Sequence, residues 1–113
     1  LCLFRLSTLN LFAEEFHRME KALIRYHVII GGEVQGVSFR YYTKLKADEL
    51  GVMGWVKNRP DGTVEVLAEA GEQQLRHFKS FLEEGPPAAN VESVKTISTV
   101  TATGEYSDFQ IRY

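Results

Sequence analysis

The chain has 113 residues, 44% of them hydrophobic and 25% charged, with a formal net charge of −2. That length supports one domain whose single core needs no staples, and that charge gives no support to a broad nucleic-acid or acidic-membrane footprint. One cysteine, Cys2, excludes an internal disulfide framework and fits a reducing compartment, while His17, His27 and His77 lack the spacing of a structural zinc site.

Residues 1–20 read as an N-terminal extension to a domain over residues 21–113. Leu3, Phe4, Leu6, Leu9, Leu11 and Phe12 make the extension apolar, but Arg5, Asn10, Glu14 and Glu15 interrupt any signal-like core. No apolar run approaches the length of a membrane span. Met19 makes an upstream start the expected explanation, although Leu9, Phe12, Ala13 and Phe16 fall at the spacing of a short amphipathic helix.

The domain opens with a strand over Leu23 to Ile30, where Ile24, Tyr26, Val28 and Ile30 share one face and Arg25 and His27 the other. A helix is predicted from about Phe39 to Leu50, with Phe39, Tyr42, Leu45 and Leu50 as its apolar side and Gly51 as its C-cap glycine. Strands over Val52–Asn58 and Thr63–Ala70 flank Arg59-Pro60-Asp61-Gly62, a turn with proline at its second position and glycine at its fourth. A second helix follows over Glu72–Glu84, with Leu75, Phe78 and Leu82 in register, and Gly85-Pro86-Pro87 ends it. In Val91–Thr101 the apolar residues recur every third position, which hints at helix, but the Val, Ile and Thr content reads as strand. Phe109, Ile111 and Tyr113 alternate with polar neighbours in a closing strand. The order implies an α+β fold, a ferredoxin-like βαββαβ sandwich whose antiparallel sheet carries two helices on one face.

The chemistry concentrates in Gly32–Arg40, where a strand, a glycine-flanked turn and a helix N-terminus succeed one another. Such a junction is an anion cradle, to which Arg40 adds a permanent forked cation. Counting six back from Arg40 reaches Val34, the place where cysteine-dependent phosphatases put their thiolate, so the cradle has no covalent nucleophile. Ser38 reads as a loop hydroxyl, because no histidine or lysine nearby in sequence is placed to activate it. Glu33, the one carboxylate of the loop, is expected to face solvent. Water must then attack without a dedicated base. That suffices only for a phosphate with a good leaving group, such as a mixed carboxylic–phosphoric anhydride. Asn58 can grip such a water through its donor and its acceptor without ionising it. The alternative is an Asn58 side chain that merely bonds its own turn.

Two segments together resemble the acylphosphatase family. Ile30, Gly32, Val34, Gln35, Gly36, Val37, Phe39 and Arg40 fit the family's first signature, and Gly54, Trp55, Val56, Lys57, Asn58, Gly62 and Val64 its second. Phe109-x-Ile111-Arg112-Tyr113 is similar to the usual family ending. The resemblance implies hydrolysis of small acyl phosphates to a carboxylate and inorganic phosphate. Arg40 and the backbone amides of Gln35, Gly36, Val37, Ser38 and Phe39 would bind the phosphate, and Asn58 would position the water. It also implies no metal or organic cofactor and a cytoplasmic, usually monomeric protein; the charge and the lack of a long apolar run add the expectation of no nucleic-acid or membrane partner. One departure is Ala70, where the pattern carries glycine; Gly71 follows, so the bend into the second helix is expected one residue later. Two other readings differ in class: a phosphate-binding sensor or accessory domain, and an RNA-binding module using Tyr26, Trp55 and Phe109. The absence of a basic excess argues against the latter.

Overall fold

The computed structural model describes residues 23–113; the extension over residues 1–20 and its helical spacing lie outside the described residues. Strand β1 (Leu23–Glu33) leads into helix α1 (Phe39–Leu50), then strands β2 (Met53–Asn58) and β3 (Val64–Gly71). Helix α2 (Glu72–Glu84), strand β4 (Asn90–Thr101) and strand β5 (Phe109–Arg112) complete the domain. The five strands lie in the order β4-β1-β3-β2-β5, so the two strand–helix–strand units interleave as the sequence predicts.

Alternation decides which face is dry. Tyr26, Val28 and Ile30 on β1, Val64, Val66, Ala68 and Ala70 on β3, and Val56 on β2 form the buried side, closed by Leu75, Phe78 and Leu82 of α2. Phe109 of β5 meets Phe78 edge-to-face at 5.9 Å, a favoured aromatic geometry. β1 runs to Glu33, three residues beyond its predicted end. Gly31, Gly32 and Glu33 still pair with Ser93, Val91 and Asn90 across a register shift. The bend into α2 falls at Gly71, with Ala70 buried in the strand before it.

The expected fold class stands, with one strand direction to add and one helix face to correct. The sheet is antiparallel through β1, β3, β2 and β4, but β5 joins β2 in parallel, with Gly54 opposite Phe109 and Lys57 opposite Arg112. β4 ends at the edge of the sheet where β2 begins, and residues 102–108 carry the chain across, so β5 starts from that same end. The Gly54 N–H donates to the Asp108 carbonyl at 2.9 Å where it lands. The apolar side of α1 was also misplaced. The helix buries Phe39, Thr43 and Ala47, whereas Tyr42 and Leu45 are 42% and 47% exposed. Phe39 anchors the helix, and the small residues one and two turns on let its axis lie close to the sheet.

Gly54 is dictated by strand contact. Its φ is +136°, and a Cβ there would run into the carbonyl of Leu67 on β3.

The sheet face away from the helices is partly covered by residues 102–108 and by its own long side chains. Trp55 donates to the Tyr106 hydroxyl at 3.3 Å, and the Arg112 guanidinium lies 5.0 Å from the Trp55 ring. Glu69, only 2% exposed on this face, accepts from Arg25 Nε at 2.7 Å and from the N–H groups of Thr103 and Gly104 at 3.1 and 3.2 Å. Arg25 also pairs with Glu105 and bonds Thr103 Oγ1 at 2.6 Å. Burial pushes the Glu69 carboxyl up, but the Arg25 guanidinium and the two backbone donors outweigh it and hold the pKa below the ordinary 4.5. A depressed folded-state pKa gives stability that is complete above the unfolded value and lost as pH falls through the folded one. Arg25→Ala is expected to cost about 3 kcal/mol at pH 7, because it leaves a buried carboxylate unpaired. The gap to the wild type should narrow as pH drops below 4.5 and Glu69 takes up a proton. Denaturant unfolding of both proteins across that range checks it; a gap independent of pH would remove Glu69 from the explanation.

Candidate active site

The cradle is built where β1 hands over to α1. Val34 is fully buried and pins the loop to the core, and Phe39 pins the first turn of the helix behind it. Between them Gly36 takes φ +76°, and Ser38, at the helix N-cap, takes φ 60° and ψ 28°. Ser38 is the one non-glycine residue with positive φ among the described residues, a strain of roughly 1 kcal/mol. Its side chain makes no capping hydrogen bond. The loop and turn hydrogen bonds of the described residues include none donated by the backbone N–H groups from Gln35 to Arg40. The loop and the helix N-terminus therefore carry backbone N–H groups without a partner among the described residues, the kind of donors that bind anions.

Arg40 stands on the first turn of α1, half-buried at the edge of this concavity. Its Nη1 donates to the Arg112 carbonyl at 3.2 Å, and its guanidinium lies 4.7 Å from the Tyr113 ring centroid. Arg112 and Tyr113 thus hold the arginine side chain, although sequence alone marks neither as a site residue. The match of the ending to the family pattern was the available signal. Asn58 ends β2 and is half-buried. The turn after it is closed without its help. Gly62 N–H donates to the Arg59 carbonyl at 3.1 Å, Arg59 N–H to the Thr63 carbonyl at 2.8 Å, and Asp61 Oδ1 accepts from the Thr63 N–H at 3.0 Å. No hydrogen bond of the described residues engages the Asn58 side-chain amide, so the reading in which it bonds its own turn is not what the fold displays.

Both residues border one cavity of about 440 Å³, together with Gly36, Ser38, Tyr41 and Tyr113. Asn58 and Tyr113 also border a second hollow of about 730 Å³ on the other side, lined by His27, Lys57, Arg59 and Glu65. In it His27 Nε2 lies 2.6 Å and Lys57 Nζ 3.8 Å from the Glu65 carboxylate. The Gln35 side-chain amide reaches across to the turn beyond Asn58. Among the described residues no three His, Cys, Asp or Glu side chains converge as metal ligands would, and no helix is long and apolar enough to cross a membrane.

Fold and site together define a ferredoxin-like α+β domain with an open cavity where the β1–α1 loop faces the end of β2. Residues 26–111 match the pattern of the acylphosphatase family. An acylphosphatase of Bacillus velezensis is 45% identical over 91 residues, which are 80% of this chain and all of that protein. The crystal structure of acylphosphatase from Bacillus subtilis superposes with a TM-score of 0.76 at 38% identity, covering 80% of this chain and 99% of the other. The structure of an acylphosphatase from Coxiella burnetii gives 0.70 at 40% identity, covering 80% and 94%. The chain belongs to the acylphosphatase family and is an enzyme of that family.

Proposed function

We propose that the protein hydrolyses the carboxyl–phosphate bond of small acyl phosphates by attack of a water held at Asn58 on a phosphate bound by Arg40 and the backbone N–H groups of Gln35–Phe39. The observation that carries this is the shared cavity: a forked cation, the loop backbone at Gly36, Ser38 and Phe39 and the Asn58 amide border one space, in which the Ser38 hydroxyl has no hydrogen bond to an activating base among the described residues. The water oxygen forms a bond to phosphorus, and the bond from phosphorus to the carboxylate oxygen breaks on the side opposite Asn58. The proton lost by the water passes to a phosphate oxygen. Arg40 and the loop amides stabilise the equatorial oxygens of a loose transition state. Asn58 orients the water through its amide, which fixes geometry without changing the water's acidity. The second hollow beyond Asn58 gives bulk water a route to that amide.

The leaving group does the rest. A carboxylate leaves readily, whereas an unactivated monoester has one of the slowest uncatalysed hydrolyses known. The same reading includes a monomeric, cytoplasmic protein that needs no metal, organic cofactor or nucleic acid, supported by the single cysteine and the small net charge. The test is to assay acetyl phosphate beside phenyl phosphate after exhaustive chelation. Sustained turnover of the first, with the second near background, is expected. Phosphate binding without turnover would point to a sensor, and equal turnover of both would show that the site supplies more than a positioned water.

A further inference from the structure

The two groups assigned to the reaction stand on different elements, Arg40 at the start of α1 and Asn58 at the end of β2. In-line attack tolerates little error in the distance between bound phosphorus and held water, so something must fix the loop against the end of β2. Gln35 lies in the loop between buried Val34 and left-handed Gly36. Its Nε2 donates one hydrogen to the Arg59 carbonyl at 2.7 Å and the other to the Thr63 carbonyl at 2.8 Å. These are the two carbonyls at the base of the β2–β3 turn. Arg59 directly follows Asn58, and Val64, directly after Thr63, is the β3 partner of Asn58. Both carbonyls already accept a hydrogen bond within the turn, from Gly62 N–H and Arg59 N–H. The amide thus adds a second bond to each and closes a polar seam between loop and turn. Among the described residues no other side-chain hydrogen bond joins the two segments.

We infer that the Gln35 side chain is a positioning residue that sets the spacing between the phosphate cradle and the water-holding Asn58. It touches neither substrate nor water; it acts through the register of loop against turn. The inference rests on the hydrolysis proposed above and deepens it. An asparagine in that loop would be too short to reach both carbonyls, and a hydrocarbon of the same length would pack but leave the turn untied.

The test is a double-mutant cycle with Gln35→Met and Asn58→Ala, read with acetyl phosphate as substrate and inorganic phosphate as competitive inhibitor. Gln35→Met is expected to lower kcat by about tenfold to 100-fold, the scale of a misplaced reacting group. Its inhibition constant for phosphate should stay within about threefold of the wild type, because the loop donors and Arg40 remain. In the Asn58→Ala background the same substitution should lower kcat by less than about threefold, since the group it positions is already gone. A full multiplicative loss in that background, or an unchanged kcat in the single variant, overturns the inference. If Gln35→Met fails to fold, the neutral Gln35→Leu, which also removes both donors, is put through the same cycle with the same criteria. Failure of the wild type to turn over acetyl phosphate would instead overturn the proposed reaction.

Discussion

Arg40→Ala is expected to lower kcat/KM for an acyl phosphate by about 10³–10⁵-fold, the range seen when an arginine that stabilises a transferring phosphoryl group is removed. The magnitude follows from position. The guanidinium already has its Nη1 on the Arg112 carbonyl at 3.2 Å and its plane near the Tyr113 ring. On the proposed mechanism the remaining N–H groups are held ready for the phosphate before the reaction, which is how preorganised donors act most strongly. The inhibition constant of inorganic phosphate should rise with the loss of turnover, because the same fork serves ground state and transition state. Arg40→Lys should stay severely impaired, since an ammonium replaces a planar fork with a point charge and cannot bond the carbonyl and the phosphate in the same geometry. Thermal unfolding should barely change, because the side chain is half-exposed at the rim of the fold. Steady-state kinetics on both variants, with unfolding midpoints as control, decide the matter. Near-normal turnover by Arg40→Lys would reduce Arg40 to a bulk positive charge.

Local signals made most of the fold legible. Gly51 after α1, Gly85-Pro86-Pro87 after α2 and the Arg59–Gly62 turn each set a boundary by backbone chemistry, and those elements fall within a residue or so of expectation. The alternation of Tyr26, Val28 and Ile30 gave the dry face of β1 for the same reason. Contacts distant in sequence were not legible. Thr43 and Ala47 face the sheet while Tyr42 and Leu45 face solvent, because the rotation of α1 is set by how close a helix can approach, and side-chain hydrophobicity does not encode that. The parallel β5 depends on where residues 102–108 cross, and the burial of Glu69 on the partners that crossing brings to it. At the candidate site, residue types alone singled out Arg40 and Asn58, which the fold brings to the border of one cavity. The Gln35 seam and the stacking of Tyr113 on Arg40 could not be read that way, since each joins segments that only the folded sheet brings together.

Asn58→Ala carries the second large effect and isolates the water from the phosphate. The side chain sits on the last residue of β2, paired with Val64 and followed by a turn that holds itself together. Truncation therefore removes an amide and little else, and stability should change by no more than about 1 kcal/mol. The proposed phosphate donors lie on other elements, so ground-state binding should be untouched. On the proposed mechanism catalysis loses the group that orders the attacking water, which should cost about 10²–10³-fold in kcat, the usual scale for a single preorganised donor or for misplacement of a reacting group.

The most direct measurement is therefore kcat for acetyl phosphate and the inhibition constant of inorganic phosphate, taken together on Asn58→Ala. A drop in kcat of at least about 100-fold with phosphate affinity within about threefold of the wild type is expected for a water-positioning residue. A near-normal kcat, or a parallel loss of phosphate affinity, would contradict the assignment of the attacking water to Asn58.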